Sequence, residues 1–200
     1  MTLVIPLIHP SAIMQGQWSL GPAQAMFIAQ GARIAKDGFY SPPDMEQAPQ
    51  GAIIYPTLQD LEVFASKINS HCSVDIECAG DFLVCVGICH QSDESYVCIR
   101  FRSLAEIYQP EELEARTRWL FEFLADPNIK KVFHNGQAFD IPYLERQGFV
   151  VNGFANDTML QAHVAFAEMP KKLNFLALAY LGIPNWKTLV SEKDEEKENQ

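Results

Sequence analysis

The 200-residue sequence has no apolar run near the roughly 20 residues that a membrane-spanning helix needs, so no membrane partner is expected. It is short of positive charge, with 15 Lys and Arg against 25 Asp and Glu and a formal net charge of −10. An acidic chain repels phosphates at long range, which argues against broad binding to duplex nucleic acid. It leaves room for a pocket in which metal ions bridge protein carboxylates to a phosphodiester. Part of the acid is local: Ser191-Glu-Lys-Asp-Glu-Glu-Lys-Glu198 carries five acids and two lysines and reads as a solvated tail. The opening Met1-Thr-Leu-Val-Ile-Pro6 has no basic n-region, so export is not expected and a cytoplasmic setting is. Cysteines number five (Cys72, Cys78, Cys85, Cys89, Cys98) and none is in C-x-x-C spacing. That pattern argues for reduced core thiols and against a zinc site or a disulfide framework. No internal repeat is present.

What is there suits one soluble domain of good size, with 48% hydrophobic and 20% charged residues. Residues 1–38 read as an N-terminal appendage, with a strand at 3–8 and a helix at about 21–36. The Pro/Gly-rich stretch 39–53 reads as a linker, the clearest boundary in the chain. Ile54-Tyr-Pro56 leads into Thr57-Leu-Gln-Asp60, a capping-box start with Asp in place of Glu. Leu58, Leu61, Phe64, Ala65 and Ile68 then mark one helical face. Strands follow at about 73–79, 82–90 and 95–102, joined by short polar turns, as an antiparallel meander. A helix over 110–124 turns Leu113, Trp119, Leu120 and Phe123 inward; 131–133 is a short strand; helices are expected at 139–147, 157–168 and 171–181. This succession is an α/β pattern over residues 54–189, with 190–200 as the acidic tail.

Within it, Asp75 and Glu77 lie two apart in a strand, Val74-Asp-Ile-Glu77, and so share one face. Two carboxylates that close are costly to desolvate unless a cation compensates, and a hard divalent ion takes carboxylate oxygens. A second group follows the strand at 131–133: His134-Asn-Gly-Gln-Ala-Phe-Asp140 enters a helix. That places Asp140 at the carboxyl edge of the sheet, where α/β sites usually lie. As an acid in the first turn of its helix it also gains from the helix dipole. Asp157 reads as the N-cap of the helix that follows it. His163, with Met159, Leu160 and Val164, reads as a core histidine.

Together these residues resemble the DEDD superfamily of 3′–5′ exonucleases, above all the proofreading domain of family A DNA polymerases. The first motif, Asp-x-Glu, stands as Asp75-Ile-Glu77 and the second as Asn135-Gly-Gln-Ala-Phe139-Asp140. Asp157-Thr-Met-Leu-Gln-Ala-His163 and Pro170-Lys-Lys-Leu-Asn-Phe-Leu176 are similar to the segment that follows the second motif in that family. The third motif, Tyr-x3-Asp or His-x4-Asp, is absent: after Trp186 the only aspartate is Asp194, and Val190 and Leu189 hold the Tyr and His positions. A separate stretch, His9-Pro10-Ser11-Ala-Ile-Met-Gln-Gly-Gln-Trp18, resembles the last motif of iron-sulfur-type uracil-DNA glycosylases. That likeness covers about residues 3–36, lacks the family's earlier catalytic segments and implies no glycosylase activity.

The exonuclease resemblance implies a ribonuclease-H-like fold, a mixed sheet flanked by helices, and hydrolysis assisted by two divalent ions, Mg²⁺ or Mn²⁺. Asp75, Glu77 and Asp140 are the expected catalytic metal ligands. Without the third motif's carboxylate, weak or no activity is expected from this chain alone, as from a domain that stops before its last motif. Asn135, Phe139, Tyr143 and His134 are expected to line the substrate site, with Lys171, Lys172 and Lys187 as candidate phosphate partners. The implied partner is a single-stranded DNA 3′ end, and a polymerase domain or subunit is a further one. Two other readings stand beside it: an RNA exonuclease of the RNase D kind, and a non-catalytic module that binds single-stranded ends or a polymerase partner.

Overall fold

The computed structural model describes residues 51–90, 95–101, 110–181 and 183, with single helical positions at Ala25, Ile28, Ala29, Ala32 and Lys36. Those five positions fall inside the helix expected at 21–36. The strand expected at 3–8, the glycosylase-like stretch, most of the linker, Lys187 and the acidic tail lie outside the described residues. The chain forms two compact units, Ala48–Thr158, and Met1–Gln47 with Met159–Gln200.

The unit Ala48–Thr158 is a mixed α/β sheet. Its elements run β1 (Ala52–Ile53), α1 (Leu58–Ser66), β2 (His71–Ala79), β3 (Phe82–His90), β4 (Tyr96–Arg100), α2 (Pro110–Ala125), β5 (Lys130–Phe133), α3 (Asp140–Arg146) and β6 (Phe154–Asp157). The strand order is β1-β4-β3-β2-β5-β6. Strands β2, β3 and β4 form the expected antiparallel meander. Parallel pairings add β1 to β4, β5 to β2 and β6 to β5. Two of these strands were not expected. β1 is two residues at the end of the expected linker, and β6 contains Asn156 and Asp157, poor strand formers held by their partner strand.

In β2 burial alternates: Cys72, Val74 and Ile76 are buried while Ser73, Asp75 and Glu77 are exposed. The inward residues pack with Val86, Ile88, Val97 and Ile99 from β3 and β4. Over them lie Leu61 and Phe64 of α1 and Leu120, Phe123 and Leu124 of α2. Burying each such side chain contributes roughly 1.5–3 kcal/mol, which fixes β2 by its apolar face and leaves its carboxylates on the other. The capping box forms as expected: Asp60 N–H donates to Thr57 Oγ1 at 3.1 Å, and Thr57 N–H donates to Asp60 Oδ2 at 2.8 Å. Leu58, expected inward, is instead 39% exposed at the start of the helix.

In the second unit, α4 (Thr158–Ala165, its first residue closing the other unit) and α5 (Leu173–Leu181) are both shorter than the helices expected there. Ala162, Met169 and Leu176 form a small cluster with Phe175 beside it.

Candidate active site

The site is made by a parting of strands. β2 and β5 pair only over Ser73↔Val132 and the two positions before it. Beyond Ser73 the β5 side of β2 has no ladder partner, and its backbone N–H groups need another acceptor. Asp140, the first residue of α3, supplies one: its Oδ1 accepts the Ile76 N–H at 3.3 Å. The bond sets the second motif's carboxylate against the strand residue that lies between Asp75 and Glu77. Across β2, Asp75 pairs with Gly87 and Glu77 with Cys85 on β3, and a glycine opposite Asp75 leaves the space beside it open.

Asp140 is 3% exposed. Burial pushes its carboxyl up to about 6, the charge of Asp75 pushes the same way, and Asp157 adds to it. The hydrogen bonds that it accepts from its own and the Ile76 backbone N–H oppose the rise. Two carboxyls that repel one another at a parting of strands are a place where a cation is favoured.

The loop between β5 and α3 is shaped by three residues. Asn135 has φ +66, a left-handed conformation that Asn tolerates. Its carbonyl accepts from the N–H groups of Ala138 and Phe139. Gly136 lies so close over Phe133 that an added Cβ would stand 2.2 Å from the Phe133 Cβ, so only glycine fits. Asp157 holds the loop: its Oδ1 accepts the Asn135 N–H at 3.0 Å and its Oδ2 the Gln137 N–H at 3.5 Å. Asp157, expected as an N-cap, does stand immediately before the helix that begins at Thr158, and its carboxylate also reaches a loop 20 and 22 residues earlier. Nothing local in sequence marks that use, though a buried acid at a strand end is the kind of residue that needs such a partner.

The other expected residues differ in exposure. Phe139 is 45% exposed. Tyr143, one turn later, is 4% exposed and donates its hydroxyl to the Gly80 carbonyl at 3.2 Å, so it supports the β2–β3 turn rather than lining an open site. His134 is half-buried and its Nδ1 lies 2.9 Å from Thr158 Oγ1. That hydroxyl gives its one hydrogen to the Phe133 carbonyl at 3.2 Å, which assigns the Nδ1–H tautomer. Lys171 donates to the carbonyls of Phe166, Ala167 and Met169, which ties its ammonium to the end of α4 and corrects its reading as a phosphate partner. Lys172 is exposed. His163 is also exposed, as is Val164 at 86%. The apolar residues of α4 do not share a single inward stripe, and Ala162 is the buried one.

Comparison with known proteins gives the family and the fold. Residues 53–199 match the family model described as 3′–5′ exonuclease. The chain belongs to that family. No curated protein sequence matches it. Among solved structures, the polymerase domain of Pol1 from M. smegmatis with DNA primer-template and dNTP is 22% identical at a TM-score of 0.50. The match covers 66% of this chain and 23% of that one. The apo form of a nuclease is 19% identical at 0.49, covering 67% and 62%. NrnC from Brucella melitensis with bound Mg²⁺ is 18% identical at 0.45, covering 66% and 61%. The chain thus spans less than two thirds of each of these proteins. The likeness to the polymerase is one of fold, and the fold agrees with the ribonuclease-H-like sheet expected from the motifs.

The family implies divalent metal. The donor chemistry fits a hard cation, because Asp75 and Asp140 offer carboxylate oxygens and their repulsion falls when a cation binds. Among the described residues, no group of three or more His, Cys, Asp or Glu side chains is placed to hold a metal ion. The structure therefore brings together a pair, with Glu77 on the same face of β2.

Proposed function

We propose that this 3′–5′ exonuclease domain removes nucleotides from single-stranded DNA 3′ ends, with Asp75, Glu77 and Asp140 as its catalytic carboxylates. The observation that carries the reading is the buried Asp140 carboxyl, bonded to the backbone between Asp75 and Glu77 and pushed up to about 6. A perturbed acid at such a place is the expected mark of a working site. Asp75 and Asp140 would hold Mg²⁺ or Mn²⁺. Such a cation, when bound, supplies a Lewis acid that activates water and neutralises phosphodiester charge. Glu77, exposed on the same face of β2, would accept a hydrogen bond from the terminal 3′ hydroxyl. Phe139 presents an exposed ring on which a terminal base stacks, a contact worth roughly 1–3 kcal/mol per base. Asn135 and Gly136 set the loop that carries that ring, and Asp157 keeps the loop in place. Asp140 must lose its proton to act as a ligand, so proton and cation compete for it and metal binding, with activity, rises with pH. The DNA preference rests on the likeness of the motifs to polymerase proofreading domains.

A second reading is a module that binds 3′ ends without cutting them. It is favoured by the carboxylates' gathering as a pair, with no three-donor group among the described residues. One assay separates the two. The whole chain is incubated with Mn²⁺ and 5′-labelled single-stranded DNA or RNA, beside Asp75→Ala. Stepwise shortening from the 3′ end that Asp75→Ala abolishes is the result expected, and faster shortening of DNA than of RNA supports the DNA preference. Retention of the strand with no shortening favours the second reading.

A further inference from the structure

A single strand carries a phosphate at every nucleotide, yet the side chains gathered at the site are carboxylates. A strand that lies there needs a cation on the same face. Most cations described in the unit Ala48–Thr158 are committed elsewhere. Lys67 closes α1, which packs on the core side of the sheet. Arg116 and Arg118 pair with Glu112 and Glu114 along α2. Lys130 and Lys131 donate to backbone carbonyls at the start of β5, and Arg146 stacks over Tyr143 on α3.

The register brings Arg100 to the carboxylate face. Glu77 pairs with Cys85, and Cys85 with Arg100, so the three form one row across β2, β3 and β4. Their neighbours Ile76, Val86 and Ile99 are buried in the core, which turns all three side chains of the row to the other side. Antiparallel partners have Cα atoms about 4.5–5.5 Å apart, so Arg100 stands about 10 Å from Glu77 by Cα. Arg100 is half-buried. Its Nη1 donates to the Tyr55 hydroxyl at 2.9 Å, and its guanidinium lies 5.7 Å from the Tyr55 ring centre. These contacts orient the fork, and among the described residues no carboxylate pairs with it.

Gly87 is a second, independent observation. It lies on the same face, opposite Asp75 on one side and Cys98 on the other. Its φ is not in the left-handed region, and an added Cβ would meet only the Asp75 carbonyl oxygen, at 3.9 Å. Neither backbone conformation nor packing therefore calls for glycine. Glycine inside a strand lowers stability relative to alanine, and close approach of a ligand is a reason to keep it.

We propose that the strand lies across β3 over Gly87 and that Arg100, oriented by Tyr55, binds one of its phosphates. The proposal rests on the reading of Asp75, Glu77 and Asp140 as the cleavage site and adds its electrostatic anchor. The separation of about 10 Å is several times the roughly 3.4 Å per nucleotide of a stacked strand. The phosphate at Arg100 is thus not the scissile one but another along the strand, held by two parallel N–H donors.

The test reads binding apart from cleavage. A 5′-fluorescein single-stranded DNA of about ten nucleotides is titrated with the whole chain in Ca²⁺, which takes carboxylate oxygens, and is checked uncut on a gel. Fluorescence anisotropy at rising salt gives the slope of log affinity against log salt. Arg100→Gln keeps a donor for the Tyr55 hydroxyl and drops the charge. Its slope is expected to fall by about 0.7, the share of one phosphate contact on a single strand, with weaker binding at low salt. Arg100→Lys is expected to keep the slope, and so is Arg118→Ala, which removes a charge from α2. Gly87→Val is expected to weaken binding several-fold while unfolding in urea no earlier than the native chain. An unchanged slope in a folded Arg100→Gln, an equal fall in Arg118→Ala, or native binding in Gly87→Val overturns the proposal and leaves the cleavage assay standing. If Arg100→Gln does not fold, Gly87→Val decides alone. A native chain that neither holds the strand nor cuts it in that assay overturns the nuclease reading as well.

Discussion

Replacing Asp140 by Asn tests the site without reference to any substrate. The amide keeps an acceptor for the Ile76 N–H, which Asp140 Oδ1 now receives at 3.3 Å, and it removes the charge. The Asp140 carboxyl rises from its ordinary 3.8 to about 6, so the folded chain holds that proton more tightly than the unfolded chain. The consequence has a sign. Below about pH 4 the group is protonated in both states and burial of the charge costs nothing. Between about 4 and 6 the unfolded chain loses the proton first, and folded stability declines. Above about 6 the group is ionised in both states and the full cost is present. At about 1.4 kcal/mol per pH unit, that cost is at most roughly 3 kcal/mol, and relaxation and solvent bring it to about 1–3. Asp140→Asn is therefore expected to be more stable than the native chain at pH 7.5, by about 1–3 kcal/mol, or roughly 3–10 °C in Tm. Near pH 4 the two should agree. The assay is urea unfolding of both proteins in chelator at pH 4, 5, 6 and 7.5, repeated with Mn²⁺. Added Mn²⁺ should stabilise the native chain and leave the variant nearly unmoved, while the variant loses exonuclease activity. A gain that does not depend on pH would show that buried charge is not its cause. A loss of stability at pH 7.5 would refute the reasoning outright.

Asp75→Asn removes the neighbouring charge that raises Asp140; the Asp140 carboxyl resonance, followed by ¹³C NMR, should titrate lower than in the native chain, and an unmoved midpoint would disprove the repulsion. Gly136→Ala would set a Cβ 2.2 Å from that of Phe133, itself 2% exposed; backbone must shift, and a loss of about 1–3 kcal/mol or more is expected in urea unfolding, while a loss below about 0.5 kcal/mol would show that the loop yields freely. Asp157→Ala strips the acceptors from the Asn135 and Gln137 N–H groups; about 2–4 kcal/mol is expected to be lost, with faster hydrogen exchange at those two amides, and unchanged exchange would mean that the loop is held by something else.

How far the site can be read from sequence depends on how far its causes reach along the chain. The β2 carboxylates are legible because a strand's period is two and Val74 and Ile76 mark the buried phase. The capping box is legible because both of its bonds are made within Thr57 to Asp60. Asp157 is not legible as a loop anchor, because its partners lie 20 and 22 residues away and are backbone groups that carry no signature. Tyr143 misleads for a subtler reason. It follows Phe139 by four residues, as if both lay on one helical face, but Phe139 stands outside the helix at φ −129 and ψ −68. The two rings stay neighbours, 6.1 Å between centroids, yet Phe139 is left outward and Tyr143 is turned into the core. Lys171 misleads because a surface-looking lysine can turn back on the carbonyls that end the preceding helix.

The same register that builds the core also aims the carboxylates, and that links stability to chemistry in this fold. β2 is held on one side by eight aligned positions against β3, with an irregularity between Glu77 and Cys78, and on the other by three against β5. A slip of one residue in β2 would exchange its faces. Cys72, Val74 and Ile76 would be turned outward and Asp75 and Glu77 inward, at the cost of three buried apolar side chains and two desolvated charges. The Ile76 N–H would also leave the Asp140 carboxylate. Neither the core nor the site can be lost alone by such a slip, so selection for a buried Val74 and Ile76 is at the same time selection for the placement of Asp75 and Glu77. Freedom enters where the ladder to β5 stops, after Ser73. There the backbone is held to Asp140 by one side-chain hydrogen bond, and a bound cation or a changed protonation state can alter the spacing without disturbing the sheet.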